Sequence, residues 1–476
     1  MDSSAHALTR RSVLVQALAA AGMLTLAPTQ VLAARALIVS NVTQLYGVKV
    51  ARVESPTSTQ AVAEAVRTWT GQVAVGGGRY SMGGQVAVVD GLHLDMRSLR
   101  SLVWLRAADK TVRVQAGMRW RDLQDLLDPL NLAVKTMQSY ANFTIGGSVS
   151  VNAHGRYVGH GPVGNSVRAL QLVLADGSVI EAGRDRHAEL FRAAVGGYGA
   201  VGVITEVELD LADDLAIERV VTELSLGDYV EHFEREVLAG DASILHNADL
   251  LAPDFDRPVC VTWRKSTRAL TDSRRLTPRG QDYATDRKLL WAMTELPGAS
   301  RLRKSVVHPL QMARPVVKWL NCEASLDVAE LEPSSRKVTT YALQEFFIPK
   351  RNFVAFAREL ASALRRNHVE ALNVSIRHSP ADTLSLLPWA KEEVFSFVLY
   401  FKQETHARAR DAVGRWTREL IDLAVGRGGR FYLPYQLHAT AEQFSIAYPE
   451  AAQLRRVKQG VDPAGKFTNQ LWARYL

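Results

Sequence analysis

The sequence predicts an α+β fold whose organisation changes part-way along the chain. Between residues 40 and 213, strand-like and helix-like patterns interleave without the regular β-α-β period of a doubly wound sheet. Three glycine-rich segments fall in that same stretch, between Gly76 and Gly202. Beyond Asp213-Asp214 the glycine segments thin out and the composition shifts.

In chain order, residues 9–16 read Thr-Arg-Arg-Ser-Val-Leu-Val-Gln, a twin-arginine pair leading into the weakly apolar stretch Val13–Ala27. Pro28 and the small-residue end Val31-Leu32-Ala33 follow. These are the parts of a bacterial export signal over residues 1–33. The apolar stretch is short of the roughly 20 residues that a membrane span needs. Such signals serve proteins that fold before transport, commonly around a redox cofactor, so a periplasmic or otherwise exported location is expected.

From Ser55 a helix is expected, with Pro56 near its start and Val62, Ala65, Val66 and Trp69 on one face. Gly71 to Gly78 reads as a short strand entering a glycine loop. Thr111–Gln115 alternates as a strand, and Trp120, Leu123 and Leu127 mark a helix that Pro129 stops. Leu170–Leu174 and Ser178–Glu181 make a hairpin through Asp176-Gly177. Val201–Leu211 is a strand. Strand and helix patterns resume over Lys337–Tyr400, with Tyr341–Ile348 a strand. The tail from Phe431 ends in the turn Asp462-Pro463-Ala-Gly-Lys-Phe.

Composition removes several classes. With 476 residues, 47% apolar and 22% charged, the chain is neither disordered nor collagenous. Two cysteines, Cys260 and Cys322, exclude a disulfide scaffold, a zinc ribbon and an iron–sulfur cluster. They could pair in an oxidising compartment, but two buried thiols are expected. No zincin motif or Gly-x-Ser-x-Gly elbow is present, and no metal is expected. The net charge of +8 is concentrated: residues 264–318 hold 13 Lys/Arg against 4 Asp/Glu. That run is either a solvated surface insertion or a patch facing anionic lipid heads or a phosphate-bearing substrate. Its one tryptophan, Trp291, does not supply the interleaved aromatics of a nucleic-acid surface.

The glycine segments are Gly76-Gly77-Gly78-Arg79-Tyr80-Ser81-Met82-Gly83-Gly84-Gln85, then Thr144-Ile-Gly146-Gly147-Ser148 to Asn152-Ala153-His154-Gly155, then Gly196-Gly197-Tyr198-Gly199-Ala200-Val201-Gly202. Glycine lets backbone approach a ligand closely and turn its N–H groups inward as an anion nest. Three such segments suit a large phosphate-bearing ligand. A Rossmann fingerprint fails, because the sixth position from Gly76 is Ser81 and the third from Gly78 is Tyr80. A Walker loop fails because no Gly-Lys-Ser/Thr closes any segment.

In this order Val75–Gln85, Thr144–Gly155 and Ala188-Glu-Leu-Phe191 with Gly196–Thr205 resemble the FAD-binding domain of the vanillyl-alcohol oxidase / p-cresol methylhydroxylase superfamily. Ser81-Met-Gly-Gly-Gln looks like cytokinin dehydrogenases. Asn152–Gly155, Ala447-Tyr448-Pro449 and Asp462 to Asn469 look like alditol and aldonolactone oxidases and decaprenylphosphoryl-ribose oxidase. The resemblance covers most of 40–213 and 430–476. It implies a two-domain PCMH-type α+β fold: an FAD domain over 40–213, a substrate cap over 214–430, and a segment over 431–476 that returns to the flavin. It also implies oxidation of a CH–OH group by hydride transfer to flavin N5, on a sugar, lactone or polyol derivative, with reoxidation by O2. The alternatives are a quinone- or carrier-linked dehydrogenase at a membrane, met through 264–318, and a flavin-binding protein without turnover.

The resemblance also implies a site. Gly76, Gly77, Gly78, Arg79, Tyr80, Ser81 and Gln85 would wrap the cofactor with Thr144, Gly146, Gly147 and Ser148. Asn152, His154 and Gly155 would lie near the ring system, Gly202 and Val203 would hold the cofactor by backbone, and Asn469 would come from the returning tail. Arg79 stands where several relatives carry the histidine that bonds flavin covalently, so FAD is expected to be non-covalent, with Arg79 neutralising phosphate. The polyol oxidases' Glu-x-Arg pair is here Ser375-Ile-Arg377, and a lysine of the relatives is replaced by Tyr435. The catalytic set is therefore Tyr435, Arg377, Glu345 and His154, with Gln436 or His438 nearby. Tyr435 is the first choice as proton acceptor, ahead of Glu345 and His154.

Overall fold

Apolar alternation builds four sheets among the described residues. The computed structural model describes residues 36–281, 283, 314–333 and 335–476. The export signal expected over residues 1–33 lies outside the described residues, and so does most of the basic run. Strands β1 (Leu37–Ser40) and β2 (Gly47–Val50) pair antiparallel. Strands β3 (Arg52–Glu54), β4 (Val73–Gly76) and β5 (Leu92–Asp95) form a parallel sheet ordered β3-β5-β4. A six-stranded sheet uses β6 (Leu102–Arg106), β7 (Thr111–Gln115), β8 (Leu132–Val134), β9 (Val167–Val173), β10 (Val179–Gly183) and β11 (Val203–Asp213).

The sheet changes after Asp213. Strands β12 (Ala216–Glu223), β13 (Ser243–Leu251), β14 (Val259–Lys265), β15 (Val317–Trp319), β16 (Thr339–Pro349), β17 (Ala371–Ser379), β18 (Val394–Glu404) and β19 (Arg430–Phe431) make one eight-stranded sheet. Its order is β15-β12-β14-β13-β17-β18-β16-β19. Residues 37–476 pack as one unit.

Local chemistry accounts for the elements. The helix Thr59–Thr68 starts at Ser58, whose hydroxyl accepts from the Ala61 N–H at 3.1 Å. Its buried face, Val62, Ala63, Ala65 and Val66, packs with Val73, Leu92, Leu94 and Phe467. The β9–β10 hairpin turns at Gly177, where φ is +84° and a side chain would be strained. The terminal turn forms because the Asp462 carboxylate accepts from the N–H groups of Lys466 and Phe467 at 2.7 and 2.8 Å. That turn lays Phe467 beside Val73, so the carboxy-terminal segment joins the edge of β4.

The eight-stranded sheet has two unlike faces. Phe346, Phe395 and Phe397 pack on Phe353 and Phe356 of the helix Phe353–Arg366, and Phe401 packs on Trp416 of the helix Ala407–Gly426. Alternate residues on the same strands, among them Glu345, Val398 and Arg377, face the glycine segments.

Several described arginines of the basic run are neutralised against the front half. Arg275 pairs with Asp128 and Asp214 at 3.1 and 3.0 Å, and Arg279 pairs with Asp122 and Asp125. No helix among the described residues is long and apolar enough to cross a membrane. Cys260 and Cys322 are both buried free thiols.

Candidate active site

A cavity of about 610 Å³ lies between the glycine segments and the open face of the large sheet. Of the first segment, Gly77, Gly78, Arg79, Tyr80, Ser81 and Gln85 line it. A Cβ on Gly77 would stand 2.1 Å from Thr144 Oγ1, so the two glycine loops touch only because that side chain is absent. Arg79 has φ +60°, which turns the loop. The amides of Gly77, Arg79, Tyr80 and Ser81 enter no hydrogen bond among the described residues. Tyr80 packs on Phe143 with ring centroids 4.4 Å apart.

The Arg79 side chain differs from the phosphate-neutralising role expected of it. Its Nη2 donates to Asp95 Oδ2 at 2.9 Å and lies 3.0 Å from His93 Nε2. Burial first, then the Arg79 charge, holds His93 down at about 4, so it stays neutral. Arg79 is therefore a brace between the loop and β5. Gln85 is a second brace: its Nε2 donates to the carbonyls of Leu433 and Tyr435, each at 2.8 Å, tying the returning tail to the first loop.

From the second segment Thr144, Gly146, Gly147, Ser148 and His154 reach the wall. Ser148 is fixed by Trp120 Nε1 at 2.9 Å and by its own bond to Gln138 Oε1 at 2.8 Å. From the third, Tyr198, Gly199, Val201 and Gly202 line the cavity.

Five residues expected in the cofactor wall are outside it. A Cβ on Gly76 would meet His93, and one on Gly155 would meet the Met137 carbonyl, so both glycines serve chain packing. Asn152 spends its amide on Asp382 Oδ2 and the Gly164 N–H. Val203 is buried in the core behind the wall. Asn469 caps the last helix and donates to the Tyr198 carbonyl at 2.9 Å, pinning the third segment from behind. Gln436 and His438 are also off the wall; Gln436 bonds Tyr46 and Gln403.

The four expected catalytic side chains all line the cavity. His154 Nε2 is 2.5 Å from Glu345 Oε1, and the Tyr435 hydroxyl donates to Glu345 Oε2 at 3.1 Å. Phe347, Trp389 and Tyr432 surround the His154 ring. Burial would raise the Glu345 carboxyl, but His154, then Arg377 and Tyr435, outweigh it and hold it below its ordinary value. Burial, and after it the Glu345 charge, raises the Tyr435 phenol well above its usual range. Tyr435 is thus a donor to Glu345, which argues against its expected place as proton acceptor.

Arg377 makes no hydrogen bond or salt bridge among the described residues, and its Nε is buried without a partner. A half-buried guanidinium left in that state calls for a ligand. Among the described residues no group of three His, Cys, Asp or Glu could hold a metal ion. Sequence reasoning missed Asn247, Asp249, Asn373 and Tyr400, which also line the cavity. The alternation of Asn247 and Asp249 with Ala248 and Leu250 is the signal that could have found the first two.

These features fit a dinucleotide: a side-chain-free wall, unpaired amides, and a buried charged cluster facing them across one cavity. A family model described as FAD binding domain matches residues 50–183. The chain is an FAD-dependent oxidoreductase of the PCMH type. Within that class it resembles the aldonolactone and alditol oxidases. It is 24% identical to L-gulonolactone oxidase of Bos taurus, over 87% of this chain and 92% of that one. With alditol oxidase of a Streptomyces species it shares 26% identity over 80% and 84% of the two chains. Cytokinin dehydrogenase 3 of Oryza sativa subsp. japonica matches at 30% over 38% of this chain and 40% of its own.

Proposed function

We propose that this protein oxidises a CH–OH group of a sugar, sugar lactone or polyol derivative, and that dioxygen reoxidises it. The observation that carries this reading is the sharing of one cavity by the glycine wall and the Glu345–His154–Arg377 cluster. When bound, FAD accepts hydride and carries the electron chemistry. The protein's part is placement and proton handling. Glu345, ionised and bonded to His154, takes the substrate hydroxyl proton. Tyr435 holds the Glu345 carboxylate in position from its other oxygen. Arg377 faces the substrate oxygen and stabilises negative charge there.

FAD is held without a covalent bond, since Arg79 stands where the linking histidine would be. Acid precipitation should leave the yellow colour in the supernatant; colour confined to the pellet contradicts this. Export through the twin-arginine signal belongs to the same proposal, and detecting the chain only in the cytoplasm of its host would oppose it.

The test of function is anaerobic mixing with a panel of polyols, sugar lactones and phenols while flavin absorbance is followed. Bleaching by a polyol or lactone supports the reading. No bleaching by any member leaves a flavin-binding protein without turnover. After bleaching, fast recovery in air supports an oxidase, whereas slow recovery assigns reoxidation to a quinone or carrier protein.

A further inference from the structure

One straight row of side chains crosses the open face of the large sheet. Glu345 on β16 is opposite Val398 on β18, Val398 is opposite Ser375 on β17, and Ser375 is opposite Asp249 on β13. All four line the cavity. Neighbouring strands lie about 4.8 Å apart, so three gaps separate the ends of the row by roughly 14 Å. That is longer than one sugar ring.

At the far end the Asp249 carboxylate is held by two amides. Asn373 Nδ2 donates to Oδ1 and Asn247 Nδ2 to Oδ2, each at 3.2 Å. Among the described residues no cation pairs with Asp249. Each carboxylate oxygen keeps a further acceptor position. Arg377, two residues along from Ser375 on the same face, offers unpaired donors. Acceptors and donors so interspersed match hydroxyl groups, which both give and take hydrogen bonds.

We propose that Asp249, with Asn247 and Asn373, forms a second subsite that binds the hydroxyl-bearing end of the substrate remote from Glu345. The preferred substrate is then an extended polyhydroxyl compound, such as an alditol carrying a sugar, in preference to a short free polyol. This deepens the proposed function and rests on it.

Titration calorimetry on the full-length holoenzyme tests it, with maltitol as the long probe and xylitol as the short one. Wild type should bind maltitol more tightly than xylitol. Asp249→Asn, nearly isosteric, and Asp249→Ala should each weaken maltitol about 10- to 100-fold, the value of a hydrogen bond to a charged group. Xylitol affinity, FAD content and Tm should not move. Equal maltitol affinity in wild type and Asp249→Asn overturns the subsite, as does wild type binding neither probe. Should the flavin never bleach while Asp249→Asn still weakens maltitol, the oxidation reading fails and the subsite stands.

Discussion

His154 Nε2 and Glu345 Oε1 lie 2.5 Å apart although 191 residues separate them in sequence. Both side chains are buried and both face the cavity. The neighbours hold the Glu345 carboxyl below its ordinary value, so it stands ionised and open to a proton. Glu345→Gln keeps the shape and removes the charge. Its turnover should fall about 10²- to 10⁴-fold, the usual value of a positioned acid or base, with FAD content unchanged. Steady-state rates within a factor of a few of wild type would exclude Glu345 from proton transfer.

Tyr435 separates a base from a holder. If its hydroxyl only donates to Glu345, Tyr435→Phe should cost about tenfold in turnover or less. A loss as large as that of Glu345→Gln would restore the tyrosine as proton acceptor.

Arg377→Ala removes a guanidinium whose Nε is buried without a partner among the described residues. Because it makes no hydrogen bond or salt bridge among the described residues, Tm and FAD content should stay close to wild type while turnover drops by about 10² or more, as for loss of a preorganised donor. Unchanged kinetics would take Arg377 out of the site.

Gly77→Val places a branched side chain where even a Cβ stands 2.1 Å from Thr144 Oγ1. The two glycine loops must separate, and the purified variant should carry little or no FAD. Stoichiometric flavin in folded Gly77→Val would refute the loop assignment.

Acid should destabilise the protein through its buried histidines. Burial lowers His93 to about 4, His246 to about 3 and His438 to about 4. The unfolded chain protonates each near pH 6.5, so between pH 6.5 and about 4 it binds more protons than the native state. Stability therefore rises with pH across that window and falls on acidification. Asp214, raised to about 6 by burial, has the opposite slope, one group against three. Melting at pH 5 should come at a lower temperature than at pH 7; an equal or higher Tm would show that these rings are protonated in the fold.

Local signals in the sequence translated well. Strand Thr111–Gln115, helix Trp120–Leu127 and the Asp176-Gly177 hairpin appear where alternation, apolar spacing and turn residues put them. Gly77, Gly78, Gly146, Gly147 and Gly202 reach the cavity for the same reason. Gly76 and Gly155 show the limit of the signal. A glycine marks a close approach but not what approaches, and for Gly155 it is the Met137 carbonyl. Arg79 shows a second limit, since a cation beside glycines is placed for phosphate until Asp95 is seen to hold it.

The chain's own order of residues thus determined where backbone must come near something and which stretches form strands, because both depend on neighbours a few positions away. Only the tertiary structure decided that His154, Glu345 and Tyr435 meet, and that Asp249 stands in the row of Glu345. Those relations depend on strand register and on the packing of distant segments. A shift of one residue in either would turn the same side chains to the opposite face.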